Sequence, residues 1–531
     1  ITYNTERYRF TDGTWVAEKQ PGHWTQWGLT HDDVGNLYWS TNSDPLAQAH
    51  LHPKYWGIPH RVAPGAKLPR VPVELPTPYT PDFLFGDSSC LLSDRGGTAQ
   101  ARRQFTSACG QSVYRGDKFP IDARGDYFFC DPTIHVVRRA SVSRSTGLVS
   151  LSRDEPPGTE FLRSSDINSR FINTAEGPDG CLYITDMYRG IIQDAPWLNE
   201  QARANITEAG LHDNIRNGRI WRIRHRDFKP RRADEMPRMS EESTFALLRH
   251  LESPAGWWRD TAQREIILRD DRETVIPQLE AMARFTEAPL TRLQALWTLE
   301  GIAPIHLELL GSIAKDRDPR LRRAAIQIAE AALDDSKTFD LVARPLANDP
   351  DPMVAQQLIL SLGMTPGHPD RAEVIVSASR PHSGSEGVRV AATLSLWEMR
   401  DLPFVQDIGA GTAFDAGTNS LWKNAFANWD RALQFPEDMP ETERRRITGG
   451  EAIYFKNCVS CHGADRKGMG IPGTEHLLAP SLADSTRVKA EPTELIQVML
   501  HGLIGPIEGK NYQAGFMAPA AALGITRDDR L

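Results

Sequence analysis

The chain has 531 residues, with 61 Lys and Arg against 69 Asp and Glu, a formal net charge of −8 and a sequence pI near 6.0. This acidic balance excludes the basic face that nucleic-acid binding requires, and no apolar run approaches the roughly 20 residues of a membrane-spanning helix. A chain of this length predicts two to four domains.

Residues 1–228 carry the turn signals and short apolar runs of β structure. A polar Asp/Gly turn precedes a strand-like run three times, in DDVGNLYWSTN (32–42), DARGDYFFCDP (122–132) and GPDGCLYITDM (177–187),. Gly35, Gly125 and Gly180 hold equivalent places in these units. Repeated turn-strand units of this size predict a β-propeller, and a plain β-sandwich is the alternative. Only three or four blades fit in this length, so the predicted propeller is partial.

Polar residues cluster around the last of these units, in SSDINSRFINTAEGPDG (164–180) and TDMYRG (185–190). Propeller active sites lie where strand ends and loops converge on the central channel. Arg170, Asp186 and Arg189 are therefore the candidate catalytic residues, able to bind an anionic cofactor or a substrate hydroxyl. The alternative is that these residues only hold loops together through hydrogen bonds and salt bridges, along with their polar neighbours Asp166, Asn168, Asn173 and Tyr188.

From residue 238 to 430 the apolar residues follow helical periodicity. Five predicted helices begin at equivalent residues, with a small or apolar residue four positions later on the same face, at Trp258/Ala262, Thr291/Ala295, Leu321/Ala325, Val354/Leu358 and Val388/Ala392. The spacings are 33, 30, 33 and 34 residues, which predicts an α-solenoid of the HEAT class. Asp318-Pro319 and Asp351-Pro352 are predicted cap and first-turn residues.

Within this helical segment, Trp258, Trp297 and Trp397 are predicted core residues. Arg322 and Arg323 are assigned to the solvent-facing side. Residues 400–440 mix short helical pieces with Gly, Pro and Asp, and are predicted to be a linker or an atypical last repeat.

The third segment, 442–531, contains Cys458-Val459-Ser460-Cys461-His462, which is the C-x-x-C-H attachment sequence of a c-type haem,. The two thiols can each form a thioether with a porphyrin vinyl group, and His462 then lies under the ring as the proximal iron ligand. A thioredoxin-like pair or half a zinc site is the alternative, but no second C-x-x-C is present,. We therefore predict an all-α class I cytochrome c domain with one covalent haem.

Met517, in AGFMAPA 55 residues after His462, is the predicted sixth ligand of the haem iron,. Met469 is too close to His462, and Met499 lies in the predicted helix PTELIQVMLHGL (492–503). His476 and His501 are the rival ligands. Pro480, in a predicted turn, completes the haem-binding residues.

Covalent haem attachment takes place on the exported side of bacterial membranes, so we expect a periplasmic or other extracytoplasmic protein. Cys90, Cys109, Cys130 and Cys181 remain outside the haem motif. In an oxidising compartment they can pair, and Cys109–Cys130 is the favoured bridge. Four separate buried thiols are the alternative.

These motifs together resemble a group of secreted bacterial proteins described as membrane-bound dehydrogenases with a fused haem-binding domain, from planctomycetes, verrucomicrobia and several other phyla. The matching runs are FTSACGQSVYRGDKFP (105–120), YFFCDP (127–132), SSDINSRFIN (164–173), GPDGCLYITDMYRG (177–190), GRIWRIRH (218–225), GGEAIYFKNCVSCHG (449–463), LAPSLADS (478–485) and LHGLIGPIEG (500–509). The resemblance implies a propeller like that of soluble glucose/sorbosone dehydrogenases, HEAT-like repeats and a C-terminal cytochrome c.

Such dehydrogenases use a quinone cofactor with calcium and a catalytic His, for which the resemblance leaves His23, His31 and His135 as candidates. The family has a longer N-terminal propeller portion and a further cytochrome helix after the Met loop. We therefore expect this chain to lack part of its propeller, which another chain would complete if the missing part is not its own, and to lack its last cytochrome helix.

Two functions follow from these expectations. In the first, the propeller oxidises a sugar-like or alcohol substrate and passes electrons to the haem, which reduces another cytochrome or a membrane complex. In the second, propeller and solenoid dock to a larger membrane-associated complex, and the haem is a relay without substrate chemistry in this chain.

Overall fold

The computed structural model describes residues 6–19, 27–40, 105–192, 200–396 and parts of 439–517, with gaps inside these ranges, together with Tyr55. The strands are β1 Glu6–Thr11, β2 Thr14–Lys19, β3 Leu29–His31, β4 Leu37–Trp39, β5 Cys109–Val113, β6 Tyr127–Asp131, β7 Val136–Ser143, β8 Ser150–Ser152, β9 Leu162–Arg163, β10 Phe171–Glu176, β11 Leu182–Asp186, β12 Arg219–Ile223, β13 Leu503–Ile504 and β14 Phe516–Met517.

The helices are α1 Glu200–Glu208, α2 Thr244–Leu247, α3 Gly256–Leu268, α4 Ile276–Phe285, α5 Pro289–Glu300, α6 Leu307–Ile313, α7 Pro319–Ala329, α8 Ser336–Thr338, α9 Pro352–Met364, α10 Arg371–Ser379, α11 Glu386–Leu396 and α12 Pro492–His501. Short 3-10 turns and one π turn, Phe339–Ala343, connect several of the helices in the middle of the chain. The molecule is thus sheet-rich in its N-terminal region and helical in its middle region.

The three predicted turn-strand units are confirmed. Gly35, Gly125 and Gly180 have φ of +77°, +92° and +83°, the left-handed region that glycine adopts without a steric penalty,. Each glycine lies two residues before a strand, β4, β6 and β11 respectively. The repeated Asp/Gly signal therefore marks the same local turn three times.

Antiparallel pairing organises the sheet-rich region. The sheets are β1-β2, β3-β4, β5-β6-β7-β8 with β9 on β7, and β10-β11-β12. Alternate residues of β6 face opposite ways: Tyr127 and Phe129 pack in one apolar cluster with Tyr38 and Trp39 of β4, whereas Cys130 packs in another with Ile184 of β11. The sheets consequently stack face to face, and in the described residues they do not close into a barrel or ring.

The helical middle region follows the predicted spacing. Trp258, Thr291, Leu321, Val354 and Val388 are each the third residue of their helix, in α3, α5, α7, α9 and α11. The residues four positions later, Ala262, Ala295, Ala325, Leu358 and Ala392, are all fully buried in one continuous core. Equivalent helices therefore recur as the periodicity predicts, and Trp258 and Trp297 pack against their core.

The predicted caps are present, but the prediction for Arg322 is wrong. Asp318 accepts a hydrogen bond from Arg320 N–H, and Asp351 accepts from Met353 and Val354 N–H, at the starts of α7 and α9. Arg322 is buried and donates two hydrogen bonds to Asp349, at 2.6 and 2.8 Å. Its neighbour Arg323 is half-buried. The carboxylate of Asp349 compensates the burial of the guanidinium, and the ion pair links α7 to the turn before α9,.

A charged junction joins the sheet-rich and helical regions. Arg115, after β5, donates to Asp260 of α3 at 2.5 and 2.9 Å and to Asp33 at 2.6 Å. Arg259 of α3 also pairs with Asp33. Glu176, at the end of β10, accepts hydrogen bonds from the backbone N–H groups of Arg115 and Trp257, at 3.2 and 3.4 Å. Sheet and helix are therefore held together by paired charges.

No helix in the part of the chain that the structure describes is both long enough and apolar enough to cross a membrane.

Candidate functional site

His462 lies in a buried position and makes one defined hydrogen bond. Its side chain is buried, and its Nδ1 is 3.0 Å from the carbonyl oxygen of Pro480. A carbonyl only accepts hydrogen bonds, so Nδ1 must carry the proton. In the neutral ring the lone pair then lies on Nε2. This tautomer presents one nitrogen for a metal ion and uses the other to fix the ring orientation.

The loop that carries Pro480 is fastened to the segment after His462. The carbonyl oxygen of Arg466 accepts hydrogen bonds from the N–H groups of Leu482 and Ala483, at 2.7 and 3.1 Å. Arg466 itself has a φ of +61°, an uncommon conformation for a residue with a side chain. Two backbone bonds thus hold the loop where the Pro480 carbonyl meets the imidazole.

The surroundings of His462 also favour its neutral form. Burial lowers the pKa of His462, and the hydrogen bond to Pro480 opposes that effect only in part. Since metal ligation requires a neutral imidazole, the lowered pKa favours the ligand form near neutral pH.

The other predicted haem residues are described to different extents. Cys458 and Cys461 lie outside the described residues. The backbone of Met517 lies in β14 and pairs with Leu503 of β13, directly after α12. The helix predicted at 492–503 is confirmed over Pro492–His501 as α12, and Leu503 lies in β13 instead.

The rival ligands differ in what the structure shows of them. His501, at the end of α12, is exposed, and Met499 is half-buried within the same helix. Met469 and His476 lie outside the described residues. Met517 as sixth ligand stays a prediction.

The residues present fit a covalently held haem. A neutral imidazole with Nδ1 bonded to a carbonyl is the arrangement of a proximal ligand, and it directly follows the two thiols in sequence. Cys458 and Cys461 would hold the porphyrin, and His462 would bind its iron. A haem held there would supply one-electron transfer.

A second buried polar site surrounds Asp186, at the end of β11. Its carboxylate is fully buried and accepts five hydrogen bonds, from the backbone N–H of Arg170 (2.7 Å) and Tyr188 (2.9 Å), the hydroxyl of Ser169 (3.0 Å), Nε of Arg219 (3.1 Å) and Nε1 of Trp221 (3.1 Å). Burial acts to raise the pKa of Asp186, but these donors outweigh it and lower the pKa. The carboxylate is therefore a fixed anion that ties two loops to β12.

Arg170 is similarly engaged by the chain. Its guanidinium donates to the carbonyl oxygens of Pro132 (2.9 Å), Arg189 (3.0 Å) and Gly190 (2.8 Å), and lies 2.9 Å from Nε2 of His135. The Arg189 side chain is exposed, although its carbonyl belongs to this cluster. The structure thus brings Arg170 and Asp186 together in a loop-holding arrangement and leaves the Arg189 side chain outside it. A catalytic role for the three stays a prediction.

The histidines considered for a quinone enzyme occupy different environments. His135 is buried against Arg170, and burial followed by that positive charge lowers its pKa to about 3. His31 is exposed near Asp260, and His23 lies outside the described residues. Within the described ranges, no three or more His, Cys, Asp or Glu side chains gather as a metal site would require. These residues give the quinone and the calcium ion no support.

Several residues of both sites were missed by sequence reasoning. The Arg466 carbonyl that anchors the Pro480 loop is a backbone group, which no side-chain pattern reveals. Trp221 and Arg219 lie in GRIWRIRH, a run with alternating polar and apolar residues, but the contact to Asp186 spans more than 30 residues. Only the strand pairing of β11 with β12 shows it.

Comparison with known proteins gives two family matches. Residues 2–227 match a family described as a domain of unknown function (DUF7133), and residues 445–518 match the family of cytochrome c oxidase, cbb3-type, subunit III. No curated protein and no solved structure matches the chain. The second match covers the segment that contains His462 and Pro480. The chain is therefore a multidomain protein with a C-terminal cytochrome c domain. The presence of this domain supports a function as an electron-transfer haem protein.

Proposed function

We propose that this protein is a periplasmic electron carrier in which one haem c, bound by Cys458, Cys461, His462 and Met517, receives electrons from oxidation of a sugar-like or alcohol substrate in the sheet-rich region. The observation that carries the proposal is the Nδ1–Pro480 hydrogen bond within a matched cytochrome c domain. That bond orients a neutral imidazole whose remaining nitrogen is suited to haem iron.

The sheet-rich region would be part of a β-propeller. Three equivalent turn-strand units and face-to-face stacking of their sheets support this interpretation. In the middle region, five equivalent helices with a shared buried position support a HEAT-like solenoid. A solenoid spaces the two other regions and offers a docking surface.

The partner would be another cytochrome or a membrane complex. The similarity of residues 445–518 to an oxidase subunit supports a protein redox partner. The resemblance to membrane-bound dehydrogenases supports the periplasmic location and the substrate class. We assign no quinone or calcium to the sheet-rich region.

A second function has a specific observation in its favour. The carboxylate of Asp186 and the guanidinium of Arg170 form their hydrogen bonds within the chain. The two strongest catalytic candidates from the sequence therefore already have structural partners. The protein would then be a haem-carrying scaffold of a larger membrane-associated complex, without substrate oxidation.

The test is a visible spectrum of the exported full-length protein, recorded with a panel of sugars and alcohols and no other reductant. A reduced haem α-band that appears with one substrate supports the dehydrogenase. A haem that responds only to dithionite or to a cytochrome partner supports the scaffold. The His462→Ala variant is the control, because it lacks the proposed iron ligand in either case.

A further inference from the structure

Two cysteines of the sheet-rich region face each other across neighbouring strands. Cys109 of β5 and Cys130 of β6 are direct partners in the antiparallel pairing. Cys130 is fully buried, and Cys109 packs against the same apolar cluster, with Val137, Phe171 and Ile184. Both side chains therefore lie on one face of the sheet, within one layer between stacked sheets.

An irregularity in β5 creates this opposition. Ser112 pairs with Phe128 and Cys109 with Cys130, so β5 uses one residue more than β6 over the same stretch. With regular pairing, residue 110 would lie opposite Cys130, and Cys109 would point to the other face. The extra residue forms a β-bulge, which turns the side chain of Cys109 to the opposite face of the sheet.

Gly110 makes the bulge possible. It has a φ of +57°, and a Cβ atom there would lie only 2.0 Å from the carbonyl oxygen of Ile172 in β10. No other residue type fits that close approach. The carbonyl of Gly110 is also held by the Thr174 hydroxyl at 2.9 Å. The fold therefore fixes the bulge, and with it the position of Cys109.

The pairing of Cys109 with Cys130 is compatible with a disulfide on general strand geometry. Directly opposed residues of antiparallel strands have Cα atoms about 4.5–5.5 Å apart, within the range of about 4.4–6.8 Å seen across disulfides. In the structure both thiols are free. Cys181, the remaining described cysteine, interacts instead with Arg222 and Asp179.

We propose that Cys109 and Cys130 form a disulfide during folding after export, before the layer between the sheets closes over Cys130. This rests on the proposed periplasmic location, since such a compartment supplies a protein disulfide as oxidant. Each cysteine loses its thiol hydrogen, one S–S bond forms, and the oxidant disulfide is reduced to two thiols. The bridge joins β5 to β6 and fixes the register that the bulge sets.

The test is a peptide map of the exported full-length protein, alkylated under denaturing acid-quenched conditions without reductant. Trypsin places Cys109 alone in 104–115, Cys130 alone in 125–138 and the haem motif in 457–466. We expect 104–115 linked to 125–138, and two alkylated peptides after reduction. Separate alkylated peptides without reduction, or either peptide linked to the one with Cys90 or Cys181, overturn the bridge.

The same map separates this inference from the proposed function. Haem on peptide 457–466 together with free Cys109 and Cys130 contradicts only the disulfide. A linked pair without haem contradicts only the proposed haem carrier, and the absence of both contradicts both proposals.

Stability gives a second readout that does not depend on the map. The wild-type unfolding temperature should fall by about 5–10 °C on adding a phosphine reductant, because the crosslink restricts the unfolded chain. The Cys109→Ala/Cys130→Ala variant should show no such shift, while Cys181→Ala should keep it. An equal response of the double variant and the wild type contradicts the bridge.

Discussion

His462 and Asp186 are both buried polar residues, yet their surroundings leave them different capacities for chemistry. The chain engages one ring nitrogen of His462, through Pro480, and this fixes the tautomer that offers Nε2 to a metal ion,. It supplies five donors to the carboxylate of Asp186. Burial alone therefore does not identify a functional residue. What matters is whether the chain has already satisfied its polar atoms.

The largest effect should come from His462→Ala. The variant lacks the proposed proximal ligand of the iron, so the redox-active haem signal should be abolished, as measured by the reduced-minus-oxidised visible spectrum. His501→Ala, at the exposed end of α12, is the matched control and should retain the wild-type spectrum. A normal spectrum in His462→Ala would assign the ligand to another residue.

Next in size is the effect of Met517→His on the haem reduction potential. A thioether ligand raises the potential relative to a second His, and axial ligands span about 0.8 V overall. We expect a decrease on the order of 0.2 V, about 5 kcal/mol for one electron, measured by redox titration. Met499→Leu should leave the potential unchanged. An unchanged potential in Met517→His would exclude Met517 as the sixth ligand.

Asp186→Ala should destabilise the sheet-rich region without altering the haem. It leaves five donors without their shared acceptor, so we expect a loss of about 3–5 kcal/mol in the free energy of unfolding, measured by urea denaturation. Asp227→Ala, at an exposed side chain, should change that free energy by less than about 0.5 kcal/mol. If Asp186→Ala instead kept stability and lost substrate-dependent haem reduction, Asp186 would belong with His462 as a functional residue.

Glu176 lies between His462 and Asp186 in how fully the chain satisfies its polar atoms. It is buried at the charged junction and accepts two backbone hydrogen bonds. Burial raises the pKa of Glu176 to about 7, against the opposing charge of Arg115. The folded pKa exceeds the unfolded value of about 4.3, so this contribution to stability is complete below pH 4 and is lost as the pH rises to 7.

The expected loss is about 3 kcal/mol. Glu176→Gln cannot ionise, so its free energy of unfolding should be less dependent on pH in that window, as measured by denaturation at several pH values. Equal pH profiles for the variant and the wild type would show that Glu176 titrates normally.

The smallest effect should come from Pro480→Ala. The substitution keeps the carbonyl that accepts from His462 and removes only the ring that restricts the unfolded chain. We expect a loss of about 0.4–1 kcal/mol in unfolding free energy and an unchanged haem spectrum. Loss of the spectrum would mean that the proline ring, and not the carbonyl, positions His462.

Local signals in the sequence were sufficient for the repeating parts of the fold. Gly35, Gly125 and Gly180 mark turns because the positive φ they adopt is a property of the residue itself,. The helix starts at Pro319 and Pro352 follow from capping by Asp318 and Asp351, which acts within three residues,. Such features depend on neighbours in sequence and are therefore predictable from it.

Contacts between distant residues were not predictable in this way. Arg322 is predicted to face the solvent because it is charged, but Asp349, in the turn before α9, pairs with it in the structure. For Asp186, the donors come from a loop before β10 and from β12, and only the fold brings them together. In the proposed haem site, C-x-x-C-H predicts His462 as a ligand, whereas the hydrogen bond to Pro480 is visible only in the structure.

The central claim is that the C-terminal domain carries a redox-active haem with His462 as its ligand. The most direct measurement is a spectroelectrochemical titration of the exported full-length protein. We predict one reversible one-electron transition of a c-type haem, which His462→Ala removes and Asp186→Ala retains. A protein with no redox-active haem, or one whose transition survives in His462→Ala, would contradict the claim.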